Sequence, residues 1–397
     1  MTQSTALEPD GASGVLAHRA QALTTARALA TRFSARAQAA DRLGALPAED
    51  VRDLKVSGYL GLSVPVAFGG SGLGLGDCVA AQLELARGST STALVAAMQV
   101  HLFGHAEETR PWPESVHKQL GRLAASGALM NSVASEPELG SPSRGGLPKT
   151  EVRRAPTGTG WLVSGRKSWT TGGAALDYLL VRCRLGDEAV VVLVPGDATG
   201  VEWQPTWRDA LSLRASDSHE LVLHDVAVPE DAIIARGAPA SPLPNAWFAL
   251  LTAATYLGAG LAARDRLILY AQQRIPTALG RPIATLPGIQ RQMGEMQAVL
   301  QSAELFLQTA ADEWSAEPLA RRDARYPRVV AAKHVAIEAA LRATELALRV
   351  AGGASLSSDL EFERYFRDAR AGLMHPPTGD AALELIGRAL LGGVEPT

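Results

Sequence analysis

At 397 residues, 47% hydrophobic and 20% charged, the chain has enough apolar material for two or three domains with large cores, which excludes a mainly disordered protein. Its 38 basic and 41 acidic residues leave a net charge of −3 with no single-sign block, so neither nucleic acid nor an anionic membrane is an expected partner. Cys78 and Cys183 are the only cysteines, too few for a disulfide framework or a thiolate zinc site. The opening MTQSTALEPDGASG has no basic segment before an apolar core, so it does not read as a signal peptide and a cytoplasmic location is expected.

In chain order, residues 1–14 are polar and Gly-rich and are expected to be loose. Residues 15–125 read as a helical domain, with Leu16, Leu23, Ala26, Ala30 and Phe33 at helical spacings. Within it, GLSVPVAFGGSGLGLGD at 61–77 fails the GxGxxG register and has no GK[ST], so it reads as a turn between helices. Residues 126–236 change period. WLVSGRKSW, DYLLVRC, EAVVVLV and ELVLHDVAVP predict short antiparallel strands of a small barrel or sandwich.

A linker at 237–244 leads into a second helical region, 245–397. Asn245 to Ala263 carries no charge and approaches the length of a membrane span. Thr252, Thr255, Gly258 and Gly260 dilute it, and it runs directly into Arg264, Asp265 and Arg266, so a helix buried at the centre of a bundle fits better. Ile289, Met293, Met296, Leu300, Ala303 and Leu307 step by four and three along one further helix. Ile337, Leu341, Thr344 and Leu348 do so along another, ended by Gly352-Gly353. Long helices with short connections predict a four-helix bundle, and the fold class is mainly α with a central β domain.

Five local patterns, in order, resemble the acyl-CoA dehydrogenase superfamily from about residue 20 to 393. Ser135 to Ser141, SEPELGS, is similar to its TEPxxGS loop, and GRKSWTT at 165–171 to its G-x-K-x-[WY]-I-T strand. LRASDS at 213–218 followed by VLHDVAVP resembles R-x-S…V-x-V-P, RVAGG at 349–353 resembles Q-x-x-G-G, and RDAR at 367–370 resembles R-D-[AV]-[RK]. The resemblance implies an N-terminal helical domain, a middle β domain and a C-terminal four-helix bundle around a flavin. It also implies a homo-oligomer built as a dimer of dimers. Hydroxyls on a Gly/Pro loop (Ser135, Ser141) can donate to a reduced flavin ring, Trp169 can cover a face, and Thr170 and Thr171 can reach its edge. Read without the resemblance, the same residues are a core aromatic and ordinary turn chemistry.

The resemblance also has departures. The family's carboxylate base, in [YF]-E-G-T, aligns with Pro376 in Met374-His375-Pro376-Pro377-Thr378, and the alternative site on the first bundle helix falls on Leu250. The family Arg that binds the flavin diphosphate across a subunit interface aligns with Pro276, with Arg274 the nearest basic residue, and the family Gln aligns with Arg349. FAD is the expected cofactor, with FMN the alternative because Arg274 or Arg349 could clamp a single phosphate. Gly352, Gly353 and Thr378 complete the expected flavin contacts.

His375, beside the vacant base position, resembles the His of the dibenzothiophene monooxygenase-like branch and is a candidate acid–base group in oxygen transfer, with His101 a second catalytic candidate. A structural histidine in a Pro-rich turn is the competing reading. His101 and His105 have the spacing of a metal pair but no third ligand, so no metal is expected. Trp112 reads as loop packing and Asp380 as a helix N-cap, or else as a displaced carboxylate. The helix from Asn245, with Trp247 and Leu250, is expected to line an apolar substrate cavity. Three functions remain open. The first is a two-component flavin monooxygenase on an apolar small molecule, fed by a separate flavin reductase. The others are an acyl-CoA dehydrogenase with a displaced base and a non-catalytic flavin or acyl-CoA binder.

Overall fold

The computed structural model describes residues 9–139, 146–237 and 243–392. Five helices come first: α1 (Pro9–Leu43), α2 (Ala48–Val56), α3 (Leu75–Ala86), α4 (Thr90–Thr109) and α5 (Glu114–Ala125). The helix therefore begins at Pro9, inside the stretch expected to be loose up to residue 14. The buried face of α1 is Ala22, Ala26, Leu29, Phe33 and Ala37. Ala26 and Phe33 of the expected stripe are buried, whereas Leu23 and Ala30 are half-buried beside the buried Ala22 and Leu29, and Leu16 is exposed. Helix α1 packs closely on α3: the Cβ of any residue replacing Gly88, just after α3, would lie 2.3 Å from the Ala30 carbonyl oxygen.

Eight strands follow: β1 (Met130–Val133), β2 (Glu151–Arg154), β3 (Trp161–Thr170), β4 (Tyr178–Leu185), β5 (Glu188–Pro195), β6 (Val201–Gln204), β7 (His219–Val228) and β8 (Ile233–Arg236). They join in one sheet of order β6-β7-β3-β2-β4-β5-β8, with β1 attached to β4. The expected antiparallel pairing holds for most ladders, but β1–β4 runs parallel and β2 meets β4 in parallel at Glu151. Sequence periodicity reports which face of a strand is buried, not its direction, so this pairing was not legible. A bulge in β3 falls at Gly165, whose φ of +153° and close approach to Thr150 leave no room for a Cβ.

The C-terminal region contains α6 (Ala246–Gln273), α7 (Pro287–Ala316), α8 (Tyr326–Ala351), α9 (Phe362–Arg370) and α10 (Gly379–Leu390). Helix α6 is capped by Asn245, whose side chain accepts the Phe248 amide at 2.8 Å. Among the described residues it is the one helix long and apolar enough to cross a membrane, but 94% of that stretch is buried inside the protein. It packs against α3, α4, α7, α8 and α9. A helix surrounded on all sides must be apolar all round, which explains the lack of charge from Ala246 to Ala263. Thr255 is satisfied internally: Gln82 of α3 donates to it at 2.8 Å and accepts from Tyr59 at 2.9 Å.

Candidate active site

One face of α6 meets the segment after α9. Phe248 and Tyr256, two turns apart, both reach His375: the rings of Phe248 and His375 lie 5.7 Å apart, and the Tyr256 hydroxyl is 2.7 Å from His375 Nδ1. On the other side of Phe248 the buried His101 of α4 packs edge-on at 5.1 Å. The Phe248 ring thus contacts both candidate histidines. From below, Lys333 of α8, almost fully buried, donates at 2.8 Å to the carbonyl oxygens of both His375 and Pro377. Among the described residues no carboxylate oxygen hydrogen-bonds or ion-pairs with His101, Tyr256, Lys333 or His375.

This enclosure keeps the histidines neutral. Burial pulls His375 down to about 4, with the Lys333 charge adding to the fall. Burial likewise brings His101 to about 3 and His105 to about 4. The Nδ1 atoms of His101 and His105 are buried without partners. Lys333 falls to about 8, again by burial, and Tyr256 is pushed well above the usual phenol range. Among the described residues no group of three or more His, Cys, Asp or Glu gathers as a metal site.

The two residues expected to line a substrate cavity are placed elsewhere. Trp247 is buried between α4 and α6, its ring against Gly104, where an added Cβ would lie 2.3 Å away. Its indole N–H donates to Glu108 at 2.7 Å, and Glu108 also accepts from Trp314 and Arg322. Leu250 is fully buried in the core. Two residues along a helix is a turn of about 200°, so Leu250 points away from the face that Phe248 presents to His375. Asp380 is not the cap of α10; Thr378 occupies that position, and Asp380 is exposed in the first turn. Trp112 packs in the loop against Phe103 and His117, as expected.

A second group of residues comes from the middle domain. Trp169 has φ of +55° and is 56% exposed, an unusual conformation and setting for a bulky aromatic. Thr170 beside it is buried. Thr171 is hydrogen-bonded to Ser218 at 2.9 Å, and Ser218 to Ser216 at 2.7 Å. The Ser135 carbonyl accepts from Ser168 at 3.0 Å, which holds its loop to β3. That loop is fastened by Glu136, which accepts from Lys167 at 2.8 Å and from the Lys149 and Thr150 amides. Against the penalty of burial, these bonds hold Glu136 at about 2. Ser141 lies outside the described residues.

The hydroxyl chain is tied to the C-terminal region through Asp368, which accepts the Leu213 amide at 2.8 Å while its own carbonyl accepts from Ser212. Burial raises this carboxyl to about 6. The neighbouring Arg367 pairs with Asp41 of α1 at 2.5 Å. The R-D pair therefore joins all three regions of the chain.

The remaining expected cofactor residues lie at the far end of the bundle. Arg274 caps α6 in an exposed position, and Tyr270 reaches the Ala351 carbonyl, which places the end of α6 beside Gly352 and Gly353 at the end of α8. Arg349, also exposed there, pairs with Glu345 at 2.6 Å. Eighteen residues of helix separate Tyr256 from Arg274, about 27 Å, so the structure does not bring these residues together with His375. Thr378 is exposed three residues past His375, and its side chain makes no cap bond.

Sequence reasoning missed Phe248, Tyr256, Lys333, Ser216 and Ser218. Some signal existed. Tyr256 is the one tyrosine in the uncharged run 245–263, Lys333 is a lone cation at the buried face of VVAAKHVAIEAAL, and both serines stand in the LRASDS pattern.

Three acyl-CoA dehydrogenase domain profiles match the chain in order: the N-terminal domain over residues 17–127, the middle domain over 132–226 and the C-terminal domain over 246–391. The chain belongs to the acyl-CoA dehydrogenase family. The Bacillus subtilis (strain 168) protein YdbM, which carries an acyl-CoA dehydrogenase designation, is 36% identical over 358 residues, 89% of this chain and 92% of YdbM. The short-chain specific acyl-CoA dehydrogenase of Bos taurus mitochondria is 28% identical, over 83% of this chain and 79% of its own.

Two solved structures share the acyl-CoA dehydrogenase fold. Butyryl-CoA dehydrogenase from Megasphaera elsdenii superposes with a TM-score of 0.80 at 21% identity, covering 98% of this chain and 100% of its own. Dibenzothiophene monooxygenase TdsC from Paenibacillus sp. A11-2, in complex with FMN and indole, gives 0.81 at 22% identity, covering 95% of this chain and 98% of its own.

Proposed function

We propose that this acyl-CoA dehydrogenase family member is a flavin-dependent oxidoreductase that transfers oxygen to an apolar small molecule rather than dehydrogenating a thioester. The observation that carries the reading is the site around His375: a neutral imidazole bonded to a phenol, with no carboxylate bonded to it among the described residues. Removing a proton from carbon demands a base held in line, and a carboxylate is the group suited to it. Tyr256, Phe248 and His101 instead make an enclosed, weakly polar setting.

The residues present fit a flavin. Trp169 displays its indole from a strained backbone, and the Thr171–Ser218–Ser216 hydroxyls offer donors beside it. Bound flavin supplies two-electron chemistry and, when reduced, activation of dioxygen. Ser135, Trp169, Thr170 and Thr171 would orient the ring, and His375 would hold a proton beside Phe248 and Tyr256. FAD is characteristic of the family and FMN is bound in the TdsC complex, so both remain compatible with these contacts. Arg274, Arg349, Gly352 and Gly353 serve a neighbouring copy, which implies a homo-oligomer, and reduced flavin comes from a separate reductase in the cytoplasm.

A second reading is supported by the identity to YdbM: acyl-CoA dehydrogenation with a base from another segment. The experiment is anaerobic mixing of flavin-loaded protein with acyl-CoA thioesters of different lengths. Bleaching of the oxidised flavin band overturns the oxygen-transfer reading. No bleaching, followed by slow and spectrally distinct reoxidation of the reduced protein in oxygen, supports it, and loss of that behaviour in His375→Ala assigns the residue.

A further inference from the structure

We infer that Ser216 and Ser218 are positioning residues that turn the proton of the Thr171 hydroxyl outward, so that Thr171 is kept as the one free donor of the three for an acceptor atom at the edge of the flavin ring. The inference deepens the flavin reading and rests on it only for the identity of the acceptor.

The orientation follows from the two ends of the chain. Thr171 Oγ1 lies 2.9 Å from Ser218 Oγ, which lies 2.7 Å from Ser216 Oγ. Three hydroxyls joined by two hydrogen bonds carry three protons, so one proton is left over. Among the described residues none of the three oxygens makes another hydrogen bond. Ser216 has no exposed surface, so a proton left at that end would be a buried donor without an acceptor, a state that costs more than an ordinary bond gains. A proton left on Ser218, with that hydroxyl accepting from both neighbours, would set the two bonds against each other instead of in series, where each polarises the next. The remaining order runs from Ser216 to Ser218 to Thr171, each donating to the next, and leaves the free proton on Thr171. That end stands two residues from Trp169, whose ring is exposed, so a ligand can reach it and cannot reach the other.

The backbone around the chain holds this order in place. Residues two apart on an extended strand stand about 7 Å apart. The left-handed backbone at Asp217, with φ of +45°, instead folds Ser216 and Ser218 together so that their hydroxyls meet. The Asp217 carboxylate accepts the Leu46 amide at 3.0 Å, which ties this turn to the connection between α1 and α2. The Ser216 carbonyl accepts the Gly172 amide at 3.0 Å, which fastens the turn to the end of β3. At Thr171 the amide donates to the Trp169 carbonyl at 3.0 Å, and the carbonyl accepts from the buried Asn131 side chain at 2.9 Å. With the hydroxyl oxygen accepting from Ser218, the hydroxyl proton is the one polar group of Thr171 left uncommitted. A donor fixed in this way loses little freedom when it meets an acceptor, which is what a cofactor contact requires.

The test has two arms on the full-length protein. Neutron diffraction from deuterated, flavin-free crystals should place the Ser216 deuteron toward Ser218, the Ser218 deuteron toward Thr171, and the Thr171 deuteron away from both. Fluorescence titration with FMN and with FAD then reads the donor. Thr171→Val, which keeps the shape, should weaken binding about threefold to tenfold, and Thr171→Ser should restore it. Ser218→Ala should weaken binding about twofold to threefold on its own and add nothing in the Thr171→Val background, whereas Ser218→Thr should bind as the unaltered protein does. A purely structural serine would weaken binding equally in both backgrounds. A Ser216 deuteron turned away from Ser218, a Thr171 deuteron turned toward it, unaltered binding by Thr171→Val, or an undiminished Ser218→Ala effect in that background overturns the inference. Failure of the unaltered protein to bind either flavin defeats the flavin reading instead, and the neutron arm still decides the order of the donors.

Discussion

The three histidines that burial lowers farthest, His101, His105 and His375, make acidification the sharpest perturbation of this fold, and His219, also lowered by burial, acts in the same direction. Each is held neutral, at about 3 for His101 and about 4 for His105 and His375, while an unfolded chain protonates them near 6.5. The unfolded state therefore binds more protons as pH falls through 6.5, and stability is lost from there down to the folded values. At pH 5 each histidine contributes about 1.5 units, or about 2 kcal/mol, so the three together destabilise by about 6 kcal/mol.

Asp368 works the other way. Burial raises it to about 6, so its protonation in the folded state returns about 1 kcal/mol over the same range. Asp50, Asp77 and Glu108, also raised by burial, act in the same direction. From the four groups with values the net loss between pH 7.5 and 5 is about 5 kcal/mol, a large part of an ordinary domain's stability. With an unfolding entropy of about 0.8 kcal/mol/K for a chain of this length, the thermal midpoint should fall by about 6 °C at constant ionic strength. Differential scanning calorimetry at the two pH values is the assay, and His105→Gln should remove about a third of the histidine contribution. A midpoint that moves by less than about 1 °C would show that these rings are not held neutral and would refute the reasoning.

Three substitutions test the packing and the candidate cofactor residues. Gly104→Ala drives a Cβ to 2.3 Å from the Trp247 ring and should cost about 1–3 kcal/mol, read as a lower urea midpoint; an unchanged midpoint would mean that the indole has room to move. Glu136→Gln leaves the fully buried Lys167 without its counter-charge and should cost about 3–5 kcal/mol, whereas Lys167→Met with Glu136→Gln should recover most of it. Equal stability of the single and double variants would deny the coupling. Trp169→Ala, at an exposed position, should leave the thermal midpoint unchanged while weakening flavin retention about tenfold or more, measured by fluorescence titration with FMN and with FAD. Unaltered flavin affinity would remove that ring from the site.

The order of helical, β and helical regions was legible because burial periodicity survives in a single sequence. Met296, Leu300, Ala303 and Leu307 of α7 are buried at the spacing that the sequence shows. What was not legible depended on the angle at which one element meets another. Trp247 and Leu250 were chosen for their size and apolar character on α6, yet a helix buried all round carries no amphipathic stripe to show which side faces the site. Phe248 and Tyr256 stand out only once the segment at His375 is laid against them. Lys333 was missed for a related reason: its partners are carbonyl oxygens, which every sequence has and none displays.

The placement of Lys333 separates what holds this fold together from what the site requires. Glu136–Lys167 pairs opposite charges within the middle domain and Arg367–Asp41 joins helix α9 to helix α1, and such pairs serve any reaction performed on the scaffold. Lys333 has no such partner among the described residues. Burial lowers it from 10.5 to about 8, so keeping its proton at neutral pH costs about 3 kcal/mol relative to an exposed lysine. A methionine of similar length would avoid that cost, at the loss of two bonds to carbonyls. An unpaired ammonium is therefore a poor way to stabilise a loop but an effective way to keep a neighbouring imidazole uncharged. Where a dehydrogenase needs negative charge to take a proton from carbon, this chain places positive charge beneath a neutral ring. That reversal of sign argues for a site that donates a proton or hydrogen bond to oxygen.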